Sequence, residues 1–409
     1  MPARRSRTVR APSIEAPPAA KSPSGTGSRK PARQTTEIHV HFAAALEALG
    51  HHTPTQRVAL ALSGGGDSVA LMILLARWAA AQDAIPPDAL IVDHGFRPEQ
   101  RLEATRTARQ ARSLHLRAHV LRWKAEKPDA NIEDAARIAR YHLMGAWCHT
   151  HRVSVLFVAH TRDDQAETFL LRLGRGSGVD GLSAMRARAS FPLPGYGGLE
   201  LARPLLAFGR NELRAFLKEE GAAWIEDPMN DDARFARTRI RKLLPELERA
   251  GVSVRRIAAA AEHLARARDA LDAQTDDLLG AHARCDRDGY VRLNARALLA
   301  APREVGLRAL SRVLTDVSGR QYRPRFVRLE RLFDMLTPQG LARAATLHGC
   351  RIARAPTRAR EFGPGTLLVA PEGPRKTARK TASGSKTGAK LGPGAGQKRP
   401  QKRHNVVSQ

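Results

Sequence analysis

Leu60-Ala61-Leu62-Ser63-Gly64-Gly65-Gly66-Asp67-Ser68 is the segment from which the fold of this chain follows. The short apolar run Val58–Leu62 precedes the glycines and is bounded by Gln56 and Arg57, which is the pattern of a buried strand. From Asp67 to Gln82 the apolar residues recur with a period near 3.6, the pattern of a helix. The glycines therefore sit at a strand-to-helix turn. A helix N-terminus carries N–H groups without intrahelical partners and a partial positive charge, so it attracts phosphate. Glycine accepts positive φ and lets backbone approach an anion closely. Ser63, Gly64, Gly65, Gly66, Asp67 and Ser68 are accordingly the candidate cofactor-binding residues, with Ser63 and Ser68 as hydroxyl donors. An acid at position 67, beside a phosphate site, makes chemical sense if Mg2+ bridges the two, so Asp67 is also a candidate metal ligand. No Lys-Ser/Thr follows the glycines, which excludes a Walker A loop, and the spacing is not that of the dinucleotide fingerprint.

Outward from this turn, strands and helices alternate. Ala89–Asp93, Arg117–Trp123 and Val153–His160 read as strands, and Leu201–Leu206 as a fifth. Residues 98–115, 131–150, 163–173 and 211–220 read as helices. This grammar implies an α/β domain, a Rossmann-like parallel sheet with helices on both faces. Residues 174–200, rich in Gly and Pro, read as a loop-like insertion. After Pro245 the pattern changes to a long helical stretch over 254–279, with further helices near 302–316 and 324–336. The expected organisation is a basic disordered arm at 1–37, a catalytic domain at 38–245, a smaller mainly helical domain at 246–343, a short β-rich segment at 344–373 and a disordered basic tail at 374–409.

The chain has 409 residues and a formal net charge of +28, a balance suited to a polyanionic partner, nucleic acid first and an anionic membrane second. The two tails inflate that figure, but roughly +11 remains on the middle of the chain. An Arg-rich, acid-poor start also resembles a transit peptide, although its prolines and lack of amphipathic pattern favour a basic arm. No apolar run reaches the length of a membrane span, so no membrane partner is expected. The three cysteines, Cys148, Cys285 and Cys350, are widely spaced, which argues against a sequence-local metal or iron–sulfur site and fits a reducing cytoplasm.

The glycine stretch matches the SGGxDS pattern of the PP-loop, or N-type ATP-pyrophosphatase, enzymes, which split ATP between its α and β phosphates. Further segments resemble one family of that class, the tRNA(Ile)-lysidine synthetases. Val92-Asp93-His94-Gly95-Phe96-Arg97 resembles VDHxLR, with Phe96 in place of Leu. The stretch from Asn131 to Tyr141 resembles N-x-E-x-x-A-R-x-x-R-Y, and that from Ala159 to Thr168 resembles AHxxDDQAET. Arg175-Gly176-Ser177-Gly178 with Gly181-Leu182 resembles RGSGxxGL, and Arg203-Pro204-Leu205-Leu206 resembles RPLL. Glu226-Asp227-Pro228-Met229-Asn230-Asp231, continued by Arg234 to Arg241, resembles EDPxNxDxxxxRNxIR, with Thr238 departing from the usual Asn. The ordered set covers about residues 56–245, and the C-terminal part resembles the family only loosely.

The resemblance implies adenylation of the C2 carbonyl oxygen of the wobble cytidine in an isoleucine tRNA with a CAU anticodon. Pyrophosphate leaves, and the amine of free L-lysine then displaces AMP. ATP and Mg2+ are the implied cofactors. The tRNA and L-lysine are the implied partners, and a homodimer is compatible with the sequence. The resemblance raises Arg137 as a catalytic contact to phosphate or adenylate; spacing alone leaves a solvated helix face equally open. Asp164 and Glu167, at i and i+3, are candidates for metal placement, cytidine positioning or lysine binding, and Asp164 is the second candidate metal ligand. A carboxylate there can also take the proton of the lysine ammonium. N-capping is the plain account of this acidic turn and fits Asp163 best. Asp93 is a candidate nucleotide contact; His94 and His160 read slightly better as structural histidines. Arg234, Arg237, Arg239 and Arg241 are the candidate tRNA-binding residues through phosphate contacts. Another PP-loop tRNA enzyme of the thiolase type, a PP-loop amide synthetase and a non-catalytic RNA-binding protein remain the alternatives.

Overall fold

A computed structural model describes residues 31–50, 55–128, 132–226, 236–286, 288–320 and 322–372. The basic tail 374–409, most of the basic arm and Arg234 lie outside the described residues. The chain divides into two compact units, Met1–Asp277 and Leu278–Gln409.

In the first unit α1 (Pro31–Ala48) leads to β1 (Ala59–Ala61), α2 (Gly66–Ala81), β2 (Asp88–Asp93) and α3 (Pro98–Ser113). Then follow β3 (Ala118–Arg122), α4 (Ile132–Thr150), β4 (Val155–Phe157) and α5 (Arg162–Leu173). The unit closes with α6 (Val179–Leu182), β5 (Arg188–Ser190), β6 (Glu200–Ala202), α7 (Arg210–Glu219), α8 (Ala236–Arg249) and α9 (Val254–His282), whose last residues pass into the second unit.

The sheet runs β3-β2-β1-β4-β6-β5, parallel throughout except for β5 against β6. The period of two in the strands sorts the core into two layers. Leu60, Ile91, Val155, Phe157 and Ala202 face one way, onto α1, α2, α3 and α7. Ala59, Leu90, Leu156 and Leu201 face the other way, onto Tyr141, Met144, Trp147 and Cys148 of α4. Both faces are thus covered, which is why the strands read as continuous apolar runs rather than alternating ones. Helix α2 is apolar almost all round, with Val69 to Leu75 buried, and so belongs at the centre of its layer. Burial of each such leucine contributes about 1.5–3 kcal/mol.

The strand order places the site. β1 pairs with β2 on one side and β4 on the other, so the chain reverses its winding between β1 and β4. In open α/β sheets the crevice at such a switch point, beyond the carboxyl ends of the strands, is where ligands bind. Here it brings together the turn after β1 and the turn after β4.

Three details differ from the sequence reading. Helix α1 spans Pro31–Ala48 and so takes in residues expected to belong to the disordered arm. The stretch 174–200 is not all loop: it holds α6 and the edge strand β5, which is too short for periodicity to mark. Pro245, after which the sequence pattern changes, lies inside α8, which continues to Arg249, and the two compact units divide at Asp277 and Leu278.

The second unit contains β7 (Ala283–Cys285), β8 (Val291–Asn294), α10 (Ala295–Ala300), α11 (Arg303–Ser318) and α12 (Phe326–Asp334). It ends with β9 (Ala345–Leu347), β10 (Cys350–Arg354) and β11 (Thr366–Pro371). Its antiparallel sheet runs β7-β8-β11-β10-β9. The late β segment expected near 344–373 is therefore not separate; it pairs with two strands that precede the helices. Leu307, Leu310 and Leu314 of α11 pack with Leu293, Ile352, Leu367 and Val369.

Candidate active site

The turn after β1 has the geometry of an anion cradle. Gly65 is extended at the N-cap of α2, and the first intrahelical bond runs from Val69 N–H to the Gly65 carbonyl at 3.0 Å. The N–H groups of the preceding turn therefore have no partner within the helix. Gly64 has φ +85°, and a Cβ on it would lie 2.6 Å from Thr107 Oγ1 and 2.8 Å from Ile225 Cδ1. Its carbonyl accepts Ile225 N–H at 2.9 Å, which ties the turn to the segment after α7. The two serines differ. Ser68 is buried; its hydroxyl donates to the Gly65 carbonyl at 2.8 Å and accepts Ser63 N–H at 3.2 Å. Ser68 thus stiffens the turn from within; the Ser63 hydroxyl lies 3.1 Å from that of Ser68 and accepts Gly65 N–H at 3.4 Å, but Ser63 is exposed, so a ligand can reach it.

Across the switch point, Thr161 caps α5. Asp164 Oδ2 accepts from the Thr161 N–H at 2.9 Å and from its hydroxyl at 3.0 Å, which completes a capping box. The capping role expected of Asp163 is therefore filled by Thr161 and Asp164. Asp163 instead accepts the backbone N–H of Arg210 at 2.8 Å and ties α5 to the start of α7. One oxygen of Asp164 is spent on the cap; the other faces Arg210 at 3.3 Å.

Glu167 is fully buried. It accepts from Arg210 Nη1 at 3.0 Å, from Arg241 Nε at 2.7 Å and from Arg241 Nη2 at 3.3 Å. Arg241 thus turns inward onto Glu167, whereas Arg237 and Arg239 are exposed on α8. Arg210 completes the cluster with Nε 3.4 Å from Asp67 Oδ2. Sequence periodicity puts the start of this helix at Asn211, one residue later, and so misses Arg210. A signal was present: a cation in the first turn of a helix opposes the helix dipole, and such local inconsistencies mark functional positions.

Burial holds the Asp67 carboxyl above its ordinary range; the Arg210 charge opposes this, and the nearby Asp164 and Asp163 add to it. With the Asp164 oxygen, Asp67 offers the hard donors that Mg2+ prefers, one or two carboxylates completed by phosphate and water. The residues present therefore fit a divalent cation.

These groups line a cleft of about 1770 Å³, together with Arg97, Arg137, Arg140, His160, Arg214, Lys242 and Arg255. Acids line it too, Glu103, Glu212, Glu226 and Glu248 among them, but Lys and Arg outnumber them, which suits a triphosphate and a nucleic-acid backbone. Arg137 is exposed to the cleft, its guanidinium 5.0 Å above the Tyr141 ring. Burial pushes His160 down to about 4, opposed by Asp164 and aided by Arg203. It pushes His94 down to about 4 as well, with Arg140 adding to the effect. Both imidazoles are thus neutral at pH 7, and the Nδ1 atom of each is buried without a hydrogen-bond partner among the described residues. Asp93 does not line the cleft; it is buried and accepts Gly95 N–H at 3.1 Å, while the neighbouring His94 faces the cleft. No helix among the described residues is long and apolar enough to cross a membrane.

Residues 38–247 match the PP-loop domain family. The chain is 40% identical to the tRNA(Ile)-lysidine synthase of Ruegeria pomeroyi over 323 residues, covering 78% of this chain and 75% of that one. It is 41% identical to the enzyme of that name from Methylobacterium nodulans over 320 residues, covering 78% and 91% respectively. With that of Wolbachia pipientis wMel it shares 36% over 318 residues, covering 76% and 70%.

Proposed function

The chain belongs to the tRNA(Ile)-lysidine synthase family of PP-loop ATP-binding enzymes, and from that premise we propose how its cleft carries out the reaction. The protein is an ATP-dependent ligase that joins L-lysine to C2 of the wobble cytidine in the isoleucine tRNA with a CAU anticodon. The C2 oxygen attacks the α-phosphorus of ATP and pyrophosphate leaves, giving an adenylated tRNA. The lysine amine then attacks C2, the C2–O bond breaks, AMP departs with that oxygen, and the amine proton passes to a base. Adenylation is needed because the cytosine carbonyl is a poor electrophile with a poor leaving group.

The single observation that carries this reading is the juxtaposition at the switch point. The Ser63–Ser68 turn opens a helix N-terminus into the same cleft that Asp164 and Arg210 line. The N–H groups at the start of α2 and the Ser63 hydroxyl bind the β and γ phosphates, where the departing pyrophosphate accumulates charge. Asp67 and Asp164 are the residues that would hold Mg2+, whose chemistry is charge neutralisation on the triphosphate. Arg137, and Arg140 beside it on the same helix, face the cleft where a phosphate or adenylate would lie. Exposed Arg237 and Arg239 are suited to the tRNA backbone. Arg241 works through Glu167 and not as an outward phosphate contact. Glu167 itself is held by two guanidinium groups, so it organises cations. The acids of this cluster are the groups that can take the lysine ammonium proton; the Asp164 oxygen outside the helix cap meets Arg210 at 3.3 Å. The test is mass analysis of the wobble nucleoside after incubation with ATP, labelled lysine and the isoleucine tRNA transcript. The mass of a cytidine condensed with labelled lysine, dependent on ATP, is expected; unmodified cytidine under those conditions would refute the assignment.

A further inference from the structure

Arg210 is the first residue of α7, and its backbone N–H is fixed on Asp163. From that point its side chain meets three carboxylates with three different nitrogens: Nε to Asp67 at 3.4 Å, Nη2 to Asp164 at 3.3 Å and Nη1 to Glu167 at 3.0 Å. The contacts are graded. The two longer ones go to acids with side chains 24% and 13% exposed on the cleft side, and the short one goes to Glu167, which is 1% exposed. Arg241 grips the same Glu167 at 2.7 Å, so the inner end of the cluster keeps a second cation of its own.

Asp67 and Asp164 are also the two acids of this cluster on the cleft side whose oxygens suit a divalent cation. Mg2+ requires oxygen ligands at about 2.0–2.1 Å in near-octahedral geometry. A guanidinium lying between two carboxylates at hydrogen-bond distance leaves no room for that. We propose that Arg210 is a resident counter-cation of the catalytic carboxylates. It holds Asp67 and Asp164 in place while the nucleotide site is empty, and yields both to the divalent cation that arrives with ATP. Throughout, it stays anchored by its backbone on Asp163 and by Glu167. Metal binding and the outer two ion pairs of Arg210 are then mutually exclusive, and the enzyme binds the cation well only when ATP supplies further ligands. Arg210 is a positioning residue in this scheme: it acts through the two acids. The inference rests on the proposed function only in taking Asp67 and Asp164 as the cation-facing acids.

The experiment is titration of the full-length protein with Mn2+ alone, without nucleotide, followed by electron paramagnetic resonance of the free ion. Arg210→Gln is expected to bind Mn2+ at least tenfold more tightly than the unaltered protein, and Asp67→Asn added to it should abolish the gain. A merely structural role predicts weaker binding on loss of Arg210, so equal or weaker affinity overturns the proposal. Should Arg210→Gln fold poorly, the unaltered protein supplies a second readout by nuclear magnetic resonance. The Arg210 Nε–Hε signal, assigned by its loss in Arg210→Lys, should be protected from solvent exchange without nucleotide. It should lose that protection when Mg2+ and a non-hydrolysable ATP analogue are added. An unchanged signal in the presence of bound analogue overturns the proposal. Neither readout includes tRNA or lysine, so failure here is distinguishable from failure of the ligase assignment.

Discussion

Glu167→Ala is the substitution for which the structure yields a magnitude. The carboxylate is 1% exposed and receives three N–H bonds from two arginines. Breaking a buried ion pair by removing one partner costs about 3–5 kcal/mol, because the other charge is left uncompensated. Two features reduce that here. The Arg210 and Arg241 side chains are 19% and 30% exposed, so water reaches them. Arg210 also keeps Asp67 and Asp164. The expected loss is about 2–4 kcal/mol. Glu167→Gln preserves volume and one acceptor oxygen, and should lose about 1–2 kcal/mol. The assay is urea unfolding followed by tryptophan fluorescence. All four tryptophans, Trp78, Trp123, Trp147 and Trp224, lie in the first compact unit, so the signal reports that unit alone. A double-mutant cycle of Glu167→Gln with Arg241→Gln should return a coupling of about 1–3 kcal/mol. If Glu167→Ala unfolds within about 0.5 kcal/mol of the unaltered protein, the double-arginine clamp is not stabilising and the reasoning fails.

Three further outcomes are expected. Gly64→Ala forces a left-handed backbone on a residue with a Cβ and drives that atom to within 2.6 Å of Thr107. The strain and the overpacking together cost about 2–4 kcal/mol. ATP affinity should fall at least tenfold, Thr107→Ala should not restore it because the backbone strain persists, and wild-type affinity would contradict the cradle. Asp88, at the opposite end of β2, is buried; burial alone raises its pKa but is outweighed by hydrogen bonds from Arg57 and His119 and by the Arg117 charge, so the folded value lies below 3.8. A depressed carboxyl contributes stability above its unfolded pKa and loses it as pH falls through the folded one. Asp88→Asn should therefore cost about 1–2 kcal/mol at pH 7, with partly exposed partners keeping the figure low, and the gap should narrow below pH 3.8 in urea melts. Of the three thiols, Cys148 and Cys350 are buried and pushed up by burial to about 12 and about 11. Ellman's reagent at pH 8 should thus titrate only exposed Cys285 in the native protein and all three cysteines in denaturant; rapid reaction of a second thiol would mean that a core region opens readily.

Much of this protein was legible as pattern. The run Val58–Leu62, the glycines and the helical period after Asp67 identified the strand, turn and helix of the phosphate cradle, because each of those features is encoded within a few neighbouring residues. The alternation of strands and helices likewise implied a parallel sheet covered on both faces, since short apolar runs need burial on both sides. What could not be read there is who meets whom across the crevice. Asp67 and Arg210 are 143 residues apart and Glu167 and Arg241 are 74 apart; they are joined by the strand order, which puts β4 beside β1. Arg241 looked like one more phosphate contact in a basic run, and only the packing of α8 against α5 turned it onto a carboxylate. The same holds for Asp164, whose cap on Thr161 is local but whose other oxygen meets Arg210, 46 residues away. Local periodicity specifies elements and their faces. The partners of a charged side chain depend on contacts between distant segments, which form only when the sheet closes its order.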